Sequence, residues 1–317
     1  MKKILFVIGS FLSLTAMAQV KMPAPSPTQT LTQDFGLGKM EIVYSRPSLK
    51  GRSVFGAGSL LAPIGDVWRT GANGATKLTF SDPVTIGGKT LPAGSYGLFT
   101  IPGATEWTII INTNSKGWGS FDYKEAEDLV RLKVAPETTG STTETFTIGV
   151  DAITAQTATI YLKWGKTKVN IPISTDIRPM VRAQIDAATS AATVNPNVYQ
   201  SAATFYLELD NDYNKALVFA DKAIAANAKA YWLHLLKARI QVALNDKKGA
   251  KLSAETCKQM AIEGKNMDYV RSADEILKSV LYSSIIQKAL PSIGRAFFVR
   301  KRRFELPRPG MGATTSR

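Results

Sequence analysis

Between residues 44 and 77 the chain gathers polar and aromatic side chains that could grip a ligand: Tyr44, Arg46, Ser48, Lys50, Arg52, Trp68, Arg69, Asn73, Thr76 and Lys77. The densest part is VWRTGANGATKL, residues 67–78. A guanidinium binds a carboxylate or phosphate through two parallel hydrogen bonds, and an indole offers a stacking face. Arg46, Trp68, Arg69 and Asn73 are therefore the candidate ligand-binding residues, with Trp118 of Lys116-Gly117-Trp118-Gly119 as a second aromatic wall. A structural reading competes at every one of them. Arg46 and Arg69 can satisfy backbone carbonyls in long connections, and Trp68 can plug one end of a β fold.

Other chemistries lack their residues. His234 is the one histidine and Cys257 the one cysteine. A Ser-His-Asp or Cys-His arrangement would depend on a histidine remote in sequence from the 44–77 set, and a histidine-based zinc site has too few ligands. No metal and no cofactor is expected. Gly56-Ala57-Gly58 lacks the third glycine and the βαβ setting of a dinucleotide loop. In Gly71-Ala72-Asn73-Gly74-Ala75-Thr76-Lys77 the lysine does not follow the second glycine, so it is not a phosphate loop. Asp210, Asp212 and Asn214 open like a calcium loop, but Lys215 stands where glycine is required. Asp66, Asp82, Glu106, Asp122 and Glu125 could supply the carboxylate pair of a glycan hydrolase, although sequence spacing does not fix their separation.

The elements that must position these residues fall into two groups. From Lys39 to Ser174, short runs rich in Thr, Val, Ile and aromatics (KMEIVYS, TKLTFS, SYGLFTI, EWTIIIN, LVRLKV, TETFTIGV, TATIYLKW, TKVNIPI) are separated by Gly, Pro and Asp turns. No helix interrupts them, which predicts an antiparallel sandwich or barrel over 39–175. Ile86-Gly87-Gly88-Lys89 reads as a tight hairpin. Over 176–285 alanine is frequent and two segments align at a spacing of 34. Thr204 falls on Ala238, Ala216 on Ala250, Ala220 on Ala254, Ala223 on Cys257, and Asn211-Asp212 on Asn245-Asp246. This is the period of tetratricopeptide repeats, predicting an all-α repeat domain with flanking helices near 178–192 and 267–280.

The ends of the chain carry separate signals. Lys2-Lys3, an apolar run and Ala16-Met17-Ala18 form a secretory signal cut after Ala18, so an exported protein of the periplasm or extracellular space is expected. Residues 19–38 read as an exposed leader. No transmembrane segment is expected. The formal charge of +14 is concentrated at the ends. Setting aside Lys2, Lys3 and the eight basic residues and one acid of 286–317 leaves 29 basic and 24 acidic residues, a net of +5. Nucleic acid is not an expected partner. Residues 286–317 read either as a disordered basic tail or as translation through a transfer-RNA gene after a frameshift or lost stop codon.

VYSRPSLKGRSVFG, IGDVWRTGANGATKLTFSDPVTIGGKTLPAGSYGLFTIPGATEWTIIIN and WGSFDYKEAEDLVRLKV closely resemble a bacterial secreted family catalogued as a domain of unknown function, number 2911. The resemblance covers roughly 25–175. It implies a signal peptide, and in some members helical repeats behind the domain, but no reaction, substrate or cofactor. Some members carry a dihydrolipoamide dehydrogenase label. This chain lacks the paired redox cysteines and the dinucleotide loop which that chemistry needs. The sequence therefore supports a non-catalytic binding or interaction module of the cell envelope. Its β domain would take an anionic or carbohydrate ligand and its repeats a protein partner. A glycan hydrolase and a purely structural module are the alternatives.

Overall fold

The computed structural model describes residues 22–56 and 58–289, with the side chains of 282–289 outside the description. The expected signal sequence and nearly all of the basic tail lie outside the described residues. The chain divides into two compact units that meet at Ile177–Arg178.

Among the described residues the first unit has ten strands: β1 (Thr28–Phe35), β2 (Gly38–Ser45), β3 (Ala72–Phe80), β4 (Val84–Ile86), β5 (Lys89–Leu91), β6 (Gly94–Ile101), β7 (Trp107–Asn112), β8 (Asp128–Val134), β9 (Glu137–Asp151) and β10 (Thr157–Ser174). All pairings are antiparallel. One sheet has the order β1-β2-β3-β6-β7-β8 and the other β5-β4-β10-β9. Alternation drives the assembly: Met40, Ile42 and Tyr44 of β2 point inward, as do Ile160 and Leu162 of β10, and they join one continuous core. Burying a side chain of this size contributes about 1.5–3 kcal/mol. The Tyr44 hydroxyl reaches across to the second sheet, accepting from the Ile148 N–H at 2.9 Å and donating to the Ile148 carbonyl at 3.2 Å.

One detail departs from the sequence expectation. Residues 28–35, expected within an exposed leader, form β1. They pair with β2 without a break through the two-residue turn Gly36–Leu37. The strand sits at an edge with one exposed face, so its alternating positions are filled by Thr and Gln and its composition resembles a linker. β10 keeps the expected division: its runs TATIYLKW and TKVNIPI form two arms. Gly165 takes φ +59°, and the Thr175 N–H donates to the Gln156 carbonyl at 2.8 Å. Residues flanking a straight strand of that length would be tens of ångströms apart at about 3.3 Å per residue, so the chain doubles back at Gly165.

The second unit comprises α1 (Arg178–Thr189), α2 (Asn197–Glu208), α3 (Tyr213–Ala226), α4 (Tyr231–Ala243), α5 (Lys247–Glu263) and α6 (Met267–Ala289). The tail expected from 286 thus begins in helix. The starts of α2 and α4 differ by 34 residues, as do those of α3 and α5. The same offset recurs in the turns. Asn211 and Asn245 both take positive φ, 58° and 59°. Asp212 and Asp246 each cap the next helix, accepting from Lys215 N at 3.1 Å and Gly249 N at 2.9 Å. Ala216, Ala220, Ala250, Ala254 and Cys257 are completely buried where helices meet. Asp212→Ala and Asp246→Ala are each expected to cost about 1 kcal/mol, the usual effect of losing an N-cap, read as earlier unfolding of the helical signal in a urea titration.

Candidate functional site

In the connection from Arg46 to Gly71, Arg46 and Arg52 are spent on acceptors of the β unit itself. Arg46 Nε donates to the Phe146 carbonyl at 3.0 Å and Nη2 to Thr147 Oγ1 at 2.9 Å. Arg52 Nε and Nη2 donate to the carbonyls of Leu49 and Ser48 at 2.9 and 2.8 Å. Arg46 ties the connection to β9 and Arg52 folds the loop onto itself, so each satisfies carbonyls that would otherwise lack partners.

Trp68 is a core residue. Only 4% of its surface is exposed, and its ring stacks on Trp164 at 5.8 Å and meets Phe146, Phe55 and Trp107 edge-on at 5.1, 5.7 and 6.4 Å. Its Nε1 donates to the Gly71 carbonyl at 3.1 Å. A stacking platform must be open to the ligand, and this ring is closed on all sides, so the expectation of a ligand face at Trp68 is corrected. Thr70, fully buried, takes φ +55°, a costly conformation for a β-branched residue. It is held there by the Thr76 hydroxyl, which donates to the Thr70 carbonyl at 2.6 Å, and by the Thr70 hydroxyl donating to Thr100 Oγ1 at 3.1 Å.

Arg69, Asn73 and Trp118 do come together, outside the core. The backbone at Trp118 forms a bridge with Gly74. Ala75 N donates to the Gly117 carbonyl at 3.1 Å and Gly119 N to the Asn73 carbonyl at 2.9 Å. Arg69 Nη1 donates to that same Asn73 carbonyl at 3.3 Å. Asn73 takes φ +61° and spends its amide on Ser45 Oγ at 3.1 Å and the Ser26 carbonyl at 3.3 Å. Its side chain is structural, whereas its carbonyl anchors the patch. Gly119 takes φ +69°, and a Cβ there would lie 3.0 Å from both Arg69 Nη1 and the Phe121 ring. Guanidinium and ring are therefore close neighbours. Trp118 is 64% exposed and Phe121 85%.

The loop carrying these aromatics lies over the outer face of the larger sheet. Tyr123 packs on Phe99 at 5.2 Å, and Phe99 is 1% exposed although it faces away from the main core. Gly97 makes room, since a Cβ there would fall 2.2 Å from the Asn114 carbonyl. A polar cluster fixes the loop. Asp128 accepts from Asn112 Nδ2 at 2.8 Å, from the Tyr123 hydroxyl at 2.7 Å and from Arg131 Nη1 at 2.7 Å. Asn112 Oδ1 accepts from Asn114 N at 2.8 Å. Burial, then the Asp128 carboxylate, pushes the Tyr123 phenol up to about 12. Phe121, Tyr123 and Asp128 were not singled out from sequence. The available signal was Trp118, Phe121 and Tyr123 in one loop that lacks strand alternation.

Of the candidate carboxylates, Asp82 and Glu106 are not placed as a pair. Asp82 follows β3, and Glu106 stands in the turn after β6; since Phe80 pairs with Gly94, these two lie at opposite ends of the sheet. Glu106 is bound to Lys133 at 2.7 Å and Glu125 contacts Arg131 at 3.4 Å. Among the described residues no three His, Cys, Asp or Glu side chains gather as metal ligands. Asp210 pairs with Arg182, and Asp212 caps its helix. His234 is held below its ordinary range by burial and by Lys237, and burial pushes the Cys257 thiol up. No helix among the described residues is long and apolar enough to cross a membrane.

The helical unit has an open groove of about 370 Å³ lined by α2, α4 and α6, including Gln200, Glu208, Trp232, Leu236, Arg239 and Tyr269. Trp232 Nε1 donates to Gln200 Oε1 at 3.1 Å across its floor.

Residues 26–173 match the family described as Protein of unknown function (DUF2911). The match starts just before β1 and ends inside β10, so it covers the β unit and none of the helices. No curated protein matches the chain.

Two outcomes separate core from surface here. Trp68→Ala should cost about 3–5 kcal/mol in guanidinium unfolding, and Trp118→Ala should stay within about 0.5 kcal/mol of wild type. The raised Tyr123 phenol gives a second test. Its protonated form is favoured by the folded state, so its contribution is complete below pH 10, the ordinary tyrosine value, and is lost as pH rises toward about 12. Tyr123→Phe should remove this alkaline loss of stability, together with one late-titrating tyrosinate in the absorbance spectrum.

Proposed function

We propose that the protein is an exported, non-catalytic binding module of the cell envelope, whose β unit engages a carbohydrate carrying anionic groups. The observation that carries this reading is the exposed pair Trp118 and Phe121, fixed beside the Arg69 guanidinium on a loop bridged to β3. Aromatic faces stack on the C–H faces of sugar rings, and a guanidinium beside them donates two parallel hydrogen bonds to a carboxylate. The ligand site thus consists of Arg69 and Trp118 from the original set, with Phe121 added. Arg46, Trp68 and the Asn73 amide support it from behind.

Export rests on Lys2-Lys3, the apolar run and Ala16-Met17-Ala18. A periplasmic or extracellular location follows from it. The helical unit is read as tetratricopeptide-like from its offset of 34, shared by helix starts, caps and buried small residues. Such arrays hold partners in the groove between their helices, so the surface lined by Trp232, Leu236, Arg239 and Tyr269 is assigned to a protein partner. The reading needs no cofactor or metal.

Calorimetric titration of the protein with neutral and uronic-acid oligosaccharides tests the assignment. The acidic set should bind more tightly. Trp118→Ala/Phe121→Ala should weaken binding of both sets at least about tenfold, or 1.4 kcal/mol, with an unchanged melting temperature. Arg69→Ala should remove the preference for the acidic set. Failure of every oligosaccharide to bind, or variants that bind as wild type does, would overturn the proposal.

A further inference from the structure

Exposed strand edges are normally blunted by charge, proline, bulges or shortness, because each presents unpaired N–H and C=O groups to other chains. Three of the four edges here follow that rule. The edge strand β8 carries Arg131 and Lys133, β5 is three residues long, and β9 shows register shifts against β10. β1 is the least protected: its one charge is Asp34, beside the turn. Thr28–Phe35 contains no lysine, arginine or proline and runs in unbroken register along β2.

The direction of its free groups can be assigned. The Pro27 carbonyl accepts from Arg46 N on the β2 side at 2.9 Å, and Phe35 pairs with Gly38 across a two-residue turn. Backbone groups alternate along a strand. The odd residues therefore bond to β2, and Thr28, Thr30, Thr32 and Asp34 turn theirs to the open edge. Among the described residues, the bond at this edge is Gln33 Nε2 to the Asp34 carbonyl, 3.1 Å, from an exposed side chain.

The geometry points to a second copy of this chain as the occupant. Gln29-Thr30-Leu31-Thr32-Gln33 reads the same in both directions. An antiparallel pairing about a two-fold axis at Leu31 sets Leu31 against Leu31 of the second copy, Thr30 against Thr32, and Gln29 against Gln33. Thr28 then faces Asp34, so no like charges meet. Every even residue falls opposite an even residue, which is the phase that the free N–H and C=O groups require. A palindrome centred between two residues would pair even with odd and leave them unmatched. The threonine pairs share the outer face, and Leu31, half-buried on the inner face, extends the core across the axis. A C2 interface of this kind is self-complementary by construction.

Sedimentation equilibrium of the full chain should give a dimer mass. Thr32→Pro removes only an outward N–H and should give a monomer with the wild-type melting temperature. The register has its own test, independent of whether that variant folds. At the axis, Leu31 forms a non-hydrogen-bonded pair with Cα atoms about 4.5 Å apart, within disulfide range. Leu31→Cys should cross-link two chains under mild oxidation, while Gln29→Cys, set opposite Gln33, should not. The native Cys257 is buried and does not compete. A wild-type chain that stays monomeric at all concentrations overturns the inference, as does a Gln29→Cys variant that cross-links as readily as Leu31→Cys.

Discussion

The β unit depends on the insertion of Trp68 between its sheets. The indole fills one end of the sandwich together with Trp107, Trp164, Phe146 and Phe55. A side chain of this size contributes several kcal/mol when buried, enough to dictate the path of the chain on either side of it. Immediately after it, Thr70 accepts a left-handed conformation, and Gly71 and Asn73 continue with positive φ. Such conformations cost about 1–3 kcal/mol each for residues other than glycine, and they persist where the surroundings over-determine them. Here the surroundings are the hydroxyls of Thr76 and Thr100 and the bridge between Trp68 and Thr100.

Arg69 owes its position to the same constraint. Its neighbour Trp68 faces inward along an extended segment, so Arg69 faces outward, where the loop after β7 returns to pair with Gly74. The buried and exposed halves of the Trp-Arg pair are consequences of one alternation. This explains why the two residues divide between core and surface although they are adjacent in sequence.

The fold class and the helical repeat were legible because both rest on periodicity: two-residue alternation in the strands and an offset of 34 in the helices. The proposed ligand patch was legible in part. Arg69 and Trp118 were found from residue type, but side-chain chemistry alone does not say which tryptophan of Trp68 and Trp118 is buried. That depends on the bridge between residues 74 and 118, a long-range contact without local signature. β1 was hidden for a related reason. A polar edge strand has no continuous apolar face, and Pro23, Pro25 and Pro27 beside it gave the whole segment the composition of a linker. Gln241, a polar side chain inside the helical unit, is explained by its partners. It is buried, donates to Asp246 at 3.2 Å and accepts from Ser253 at 2.7 Å, so a hydrogen-bonded bridge replaces apolar packing.

The loop between β7 and β8 also separates anchoring from display. Its attachment is complete without the rings of Trp118 and Phe121. Asn112, Tyr123, Asp128 and Arg131 hold its base, Tyr123 covers Phe99, and the bridge to Gly74 uses backbone atoms only. Two large apolar side chains are thus left in water on a segment whose conformation does not need them. Single exposed apolar residues are ordinary on protein surfaces, whereas clustered ones rimmed by polar groups mark interaction sites. Phe121 lies close to Arg69, and Trp118 is exposed on the same loop, whose conformation is fixed in advance. A ligand meeting them would pay little to order the loop, which is the condition under which a small patch binds with useful affinity.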